Sequence, residues 1–304
     1  MATGAANIRR ARPLLGTFVE IAVASAAPHD AEAAVEAAFR AVAHVHRLMS
    51  FHEPHSDVSR LNREAFAQPV LVNAHTYRVL EIAIDLHRRS AGLFDIATAP
   101  ALQRLGVLPG VANAAWAAPS VAERDTPVEL LEDRRVRFRQ ANVRIDLGGI
   151  AKGYAVDCAV GVLQSRGVAS GLVNAGGDMM AFGLGAESVH IRDPRRLGEW
   201  LCRVNLCNQA LASSGSQLDP FNTTESATTT VIDPASQRPA REIHGATVRA
   251  SSCTIADGLT KVVMLAGEQS AALLEHYGAS AMFIGLDGEV CVTADWLEAV
   301  PLAA

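Results

Sequence analysis

The stretch Asp146-Leu147-Gly148-Gly149-Ile150-Ala151-Lys152-Gly153-Tyr154-Ala155-Val156-Asp157 decides how this chain is read. Val143 to Leu147 reads as a strand. Ala151 to Arg166 reads as a helix, with Gly167 at its end. Glycines at a strand-to-helix turn let backbone amides come close to a ligand. The helix N-terminus adds partial positive charge and Lys152 a full one, a combination suited to a phosphate or pyrophosphate. The spacing is neither GxxxxGK[ST] nor GxGxxG, so the two common nucleotide fingerprints are excluded. Taken alone, the same residues also describe a tight turn beside a surface lysine.

The remaining segments narrow the reading. Gly171-Leu172-Val173-Asn174-Ala175-Gly176-Gly177-Asp178 is a short apolar strand ending in a second glycine turn with an acid. Upstream lie Leu15-Gly16-Thr17-Phe18, Met49-Ser50-Phe51-His52, Ser56-Asp57-Val58-Ser59-Arg60-Leu61-Asn62 and Phe94-Asp95-Ile96-Ala97. Downstream lie His190-Ile191-Arg192-Asp193-Pro194, Ser213-Ser214-Gly215, Val231-Ile232-Asp233-Pro234 and Ala256-Asp257-Gly258-Leu259-Thr260. In this order the set resembles the ApbE family, the FAD:protein FMN transferases, over one family domain from about residue 12 to 296. DLGGIAKGYAVD and NAGGD together carry most of the specificity.

Length and composition fit that resemblance. A chain of 304 residues, 49% hydrophobic, holds one large domain or two and a substantial core. A net charge of −5 argues against a nucleic-acid partner. Arg135 and Arg137 alternate with Val136 and Phe138, as on the solvated face of a strand. No apolar stretch is long enough to span a bilayer, so no membrane partner is expected. No export signal or lipobox cysteine is read at the N-terminus, and the expected location is cytoplasmic. Cys158, Cys202, Cys207, Cys253 and Cys291 have no CxxC spacing and are expected to be free thiols.

Helices and strands alternate without a regular βαβ rhythm, which predicts an α+β, or mixed α/β, class. Leu14 to Ala24 reads as one strand. A helix capped by Asp30 carries Val35, Phe39, Val42, Val45 and Met49 on one face, and a second is capped by Asn73. Leu105 to Thr126 and Asn222 to Thr230 read as loops. Two helices are expected at 256–266 and 270–277, then a hairpin turning at Asp287-Gly288. The resemblance adds a layered fold with FAD in a cleft between two subdomains.

The resemblance also implies roles. Leu15, Phe51, His52, Phe94, Asp95, Ile96, Gly148, Gly149, Lys152, Tyr154, Asp178 and Ile232 would contact FAD. Phe51 or His52 would stack on the flavin side, and Asp178 and Asp95 would orient the ligand or a hydroxyl. Asp257 and Thr260 share a helical face. With the Ala151 carbonyl they would form a hard-oxygen Mg²⁺ site beside the pyrophosphate. Asp257 and Lys152 are the expected catalytic residues. His44 and His46, two apart on a helix, point in different directions and form no metal pair.

Two positions depart from the family pattern. Lys261 replaces the usual Thr or Ser four residues after the metal-binding Asp, and its ammonium would repel a divalent cation or replace it. Thr230 replaces a histidine that is a candidate acid–base group, and a threonine hydroxyl does not titrate near neutrality. The expected reaction is transfer of FMN from FAD to a Ser or Thr of an acceptor protein, with Mg²⁺ and release of AMP. The alternatives are a weak or inactive FAD-binding protein and a Mg²⁺-dependent FAD hydrolase.

Overall fold

The computed structural model describes residues 6–25, 28–110, 126–196, 198–215, 229–293 and 296. The chain begins with β1 (Ala6–Leu14) and β2 (Thr17–Ser25), followed by α1 (Pro28–Met49) and α2 (Asp57–Glu64). Next come β3 (Val70–Leu71), α3 (Ala74–Arg89), α4 (Ala99–Arg104), β4 (Val128–Leu131) and β5 (Arg135–Phe138). The motif helix is α5 (Ala151–Ser165). After it run β6 (Ser170–Ala175), β7 (Asp178–Phe182), β8 (Glu187–Arg192), β9 (Trp200–Leu206) and β10 (Ala210–Gly215). The last part holds β11 (Ile232–Asp233), β12 (Arg238–Pro239), β13 (Ile243–Ala250), α6 (Cys253–Ala266), α7 (Ala271–His276), β14 (Ser280–Gly285) and β15 (Val290–Val292).

An antiparallel sheet in the order β1-β2-β6-β7-β10-β13-β14-β15 forms the middle layer. Its two faces are covered differently. On β6, Gly171, Val173 and Ala175 are buried beneath the helices, while Leu172 and Asn174 turn to the other side. The helical layer holds Val42, Leu80, Leu86, Ile150, Leu163, Leu259 and Val263 in one core. Each such side chain contributes about 1.5–3 kcal/mol on full burial. On the opposite face the β8–β9 ribbon closes over Met179, Leu211 and Met282 with Val189, Ile191, Val204 and Leu206. The class is therefore α+β, as the sequence predicts, and the elements lie in three layers. A separate sheet, β3-β5-β4, carries the arginine-rich alternation, with Val136 and Phe138 buried and Arg135 and Arg137 exposed.

α6 is buried almost all round, between α5, α3 and the strands β10 and β13. A helix this apolar, whose few polar side chains all pair within the fold, suits such a central position. Its neighbours must come close. A Cβ on Gly153 would lie 2.3 Å from the Cys253 carbonyl oxygen and 2.8 Å from Asp257 Cβ. The α5–α6 approach is built on that missing side chain.

Several expectations change. Leu14 to Ala24 is not one strand: Leu15 and Gly16, at φ 58° and 71°, turn the chain between β1 and β2. A leucine in the left-handed region conceals a two-residue hairpin turn that Asn or Gly would have announced. Val143 to Leu147 joins no ladder. The Asn62 amide brackets Ile145, accepting from its N–H at 2.8 Å and donating to its carbonyl at 2.9 Å, and Asp146 N–H donates to the Ile96 carbonyl at 2.8 Å. Asp30 lies in the first turn of α1 instead of capping it. Asn73 does cap α3, accepting from His75 N–H at 3.0 Å. α2 and α4 are additions to the expected elements, since helices this short carry little periodic signal. Residues 111–125 and 222–228 of the two expected loops lie outside the described residues.

Candidate functional site

Two glycine-flanked segments meet at the N-terminus of α5. Lys152 Nζ pairs with Asp178 Oδ2, where β7 begins. Gly153 N–H donates to Asp257 Oδ2 at 3.0 Å, so the first turn of α5 already faces a carboxylate of its own chain. Lys261, one turn along α6, pairs with Asp257 Oδ1 and also donates to the Asp257 carbonyl oxygen at 3.0 Å. Thr260 Oγ1 donates to the same carbonyl at 2.7 Å and lies 2.8 Å from Ser214 Oγ on β10. Two lysines and two aspartates thus converge, with Gly149 against the Lys261 stem: a Cβ there would be 3.3 Å from Lys261 Cε.

Burial decides the electrostatics. Asp257 is fully buried and Asp178 is 1% exposed, whereas Lys152 and Lys261 retain 31% and 17% side-chain exposure. Burial works to raise the Asp257 carboxyl. Lys152, Lys261 and the hydrogen bonds from Lys261 and Gly153 outweigh it, so Asp257 stays below its ordinary value and ionised. Asp178 is raised, by burial first and then by Asp257, against the pull of Lys152. Burial works to lower Lys152, and Asp178 and Asp257 outweigh it, holding it above its ordinary value. Asp178 Oδ1 is buried with no hydrogen-bond partner among the described residues. A buried acceptor left in this way has room for a donor from water or a ligand.

The other expected residues are placed separately, some beside this cluster and some away from it. Ile96 is joined to Asp146 through the backbone bond above, and Asp146 Oδ2 accepts from Gly148 N–H at 3.0 Å, shaping the glycine turn. Burial raises the Asp146 carboxyl, with the Gly148 bond and nearby His52 acting against it. His52 itself is exposed. Asp95 accepts from Ala97 N–H at 2.8 Å and lies 4.0 Å from His87 Nδ1. The Phe94 ring is buried beside Gly258 of α6, next to Asp257. Phe51 and Ile232 pack together against Leu102 and Leu108 near α4. Leu15 N–H donates to His46 Nδ1 at 3.3 Å. Tyr154 faces away from Lys152: its hydroxyl is 2.8 Å from His75 Nδ1. Thr230 is exposed beside the short strand β11.

Two further residues of the motif set how α5 meets α6. Asp157 caps α6 from α5, accepting from Ser252 Oγ and Cys253 N–H at 2.8 Å, Thr254 N–H at 2.9 Å and the Thr254 hydroxyl. Gly153 permits the close helix approach. A cavity of about 590 Å³ lies on the far face of the sheet, under the β8–β9 ribbon, lined by Phe18, Leu172, Met179, Trp200 and Met282. Gly177, Met179 and Ser214 are among its lining residues and adjoin the charged cluster.

The expected Mg²⁺ ligands do not fit that ion as they stand. Lys261 and Gly153 occupy both Asp257 carboxylate oxygens, and the Thr260 hydroxyl is bonded at both ends. Among the described residues, no group of three or more His, Cys, Asp or Glu side chains is arranged to hold a metal ion.

A family model described as "ApbE family" matches residues 15–284, most of the chain and all of this site. The chain belongs to the ApbE family. Relatives include the FAD:protein FMN transferase of Treponema pallidum, 28% identical over 98% of this chain and 90% of that protein. The FAD:protein FMN transferase of Vibrio cholerae is 28% identical over 76% of this chain and 72% of its own. The ApbE fold is shared with the ApbE protein of Thermotoga maritima, at a TM-score of 0.84 and 24% identity, covering 96% of this chain and 99% of the other. For the flavin transferase ApbE of Vibrio cholerae the TM-score is 0.80, at 22% identity, covering 97% of this chain and all of that one.

Proposed function

We propose that this ApbE-family protein binds FAD and transfers its FMN part to a Ser or Thr hydroxyl of an acceptor protein. The hydroxyl oxygen attacks the FMN-side phosphorus, the phosphoanhydride bond breaks, AMP leaves, and the hydroxyl proton passes to solvent. The carrying observation is the convergence of Lys152 and Lys261 at the N-terminus of α5, where two cations and a glycine turn suit a diphosphate. Relatives bearing the FAD:protein FMN transferase name over nearly the full chain support the same reading.

In this reading, the ligand's phosphates share the two ammonium groups with Asp178 and Asp257. As the bond to AMP breaks, charge gathers on the leaving phosphate, and Lys152 stabilises it. The buried Asp178 Oδ1 accepts a ligand hydroxyl. Phe51, half-buried, supplies apolar surface for a ring, while Phe94 is buried in the core. Mg²⁺ was expected here from the resemblance; because its donors are engaged by protein groups, no step is assigned to it.

Incubation with FAD and Ser/Thr-bearing acceptor polypeptides tests the reading, through AMP release and in-gel fluorescence of bound flavin. Equal amounts of AMP and protein-bound FMN are expected. AMP accompanied only by free FMN would make the protein a hydrolase.

A further inference from the structure

Lys261 holds the positions a hard cation would need. Its ammonium bridges Asp257 Oδ1 and the Asp257 carbonyl oxygen, two atoms of the kind that coordinate Mg²⁺. We infer that Lys261 is a built-in replacement for a divalent cation, so that this site binds its diphosphate ligand with two lysines and takes no metal ion. The identity of the ligand rests on the flavin reading above; the exclusion of metal rests on the geometry alone.

Three features carry it. First, the two remaining side-chain donors of the expected set are committed. Asp257 Oδ2 accepts from Gly153 N–H at 3.0 Å, and Thr260 Oγ1 donates to the Asp257 carbonyl at 2.7 Å. A metal entering here must displace an ammonium from a fully buried carboxylate. Second, the ammonium is fixed in place. The Lys261 stem lies against Gly149, where a Cβ would come within 3.3 Å, and its side chain is only 17% exposed. The cation is therefore presented at the glycine turn, where the phosphates are expected. Third, the charges balance. Lys152 and Lys261 neutralise Asp178 and Asp257, so no net negative charge is left to attract a divalent ion into this low-dielectric place.

Two measurements on the whole protein decide the inference. Mn²⁺, a paramagnetic stand-in for Mg²⁺, is titrated into the free protein and followed by electron paramagnetic resonance. No stoichiometric bound Mn²⁺ is expected at micromolar concentrations; one Mn²⁺ bound per chain, and lost in Asp257→Asn, overturns the inference. FAD is titrated by fluorescence in EDTA and again in Mg²⁺. The two dissociation constants are expected to agree, and a tenfold or greater weakening in EDTA overturns the inference. FAD that binds in neither buffer overturns the flavin reading instead, and the Mn²⁺ result still decides the exclusion. In Lys261→Thr, FAD affinity in EDTA is expected to fall by roughly tenfold or more, as for loss of a charge-assisted bond. The same variant is expected to gain one bound Mn²⁺. If it fails to fold, the two wild-type measurements are sufficient.

Discussion

The backbone N–H of Gly153 and the Oδ2 of Asp257 are 3.0 Å apart, joining residues 104 positions distant in sequence. With the Asp157 cap and the close packing at Gly153, this bond docks the motif helix against α6 and brings the two lysine–aspartate pairs side by side. It also shows that the α5 N-terminus already has an anion, which a phosphate bound there would have to share.

Lys152→Ala is expected to weaken FAD binding by about 1.5–3 kcal/mol, the range for a hydrogen bond to a charged group. Riboflavin, which lacks the diphosphate, should bind equally to both forms. Calorimetry showing the same loss for riboflavin would refute a phosphate role for Lys152.

Gly153→Ala is expected to destabilise the fold, although alanine is the better helix former by about 1 kcal/mol. The new methyl would lie 2.3 Å from a backbone oxygen of α6, which cannot move aside as a side-chain tip can. Overpacking of this kind costs about 1–3 kcal/mol. Urea unfolding measures it, and a midpoint at or above wild type would contradict the packing argument.

Asp157→Asn turns an NH₂ group toward donors on Ser252, Cys253 and Thr254. Unfolding should become easier by about 1–3 kcal/mol, with the denaturant slope unchanged. An unaltered midpoint would show that α6 does not need this cap.

His75 sets a pH dependence away from the charged cluster. Burial first, and then His44, hold its ring below the ordinary value of 6.5. The folded state therefore resists protonation that the unfolded chain accepts. Stability from this group is fully present above 6.5 and is lost as pH falls toward the folded value. Thermal melts between about pH 7.5 and 5.5 should show a decline that is smaller in His75→Gln. Equal slopes in the two proteins would assign the decline elsewhere.

The sequence by itself determined the α+β class, the motif helix from Ala151, the Asn73 cap and the hairpin at Asp287-Gly288. These are local: periodicity, capping side chains and turn residues act within a few positions of one another. It also marked Lys152, Asp178, Asp257 and Thr260, whose convergence the structure displays. Only the tertiary structure decided what those residues do to each other. Which oxygen of Asp257 meets Lys261, that Gly153 must lack a side chain, that Asp157 caps a distant helix, and that Tyr154 points to His75 all depend on how α5 meets α6 and α3. The same holds for Val143 to Leu147, whose extended backbone found the Asn62 side chain in place of a ladder. Contacts between segments a hundred residues apart leave no periodic trace, because burial and desolvation act on the packed chain and not on its order.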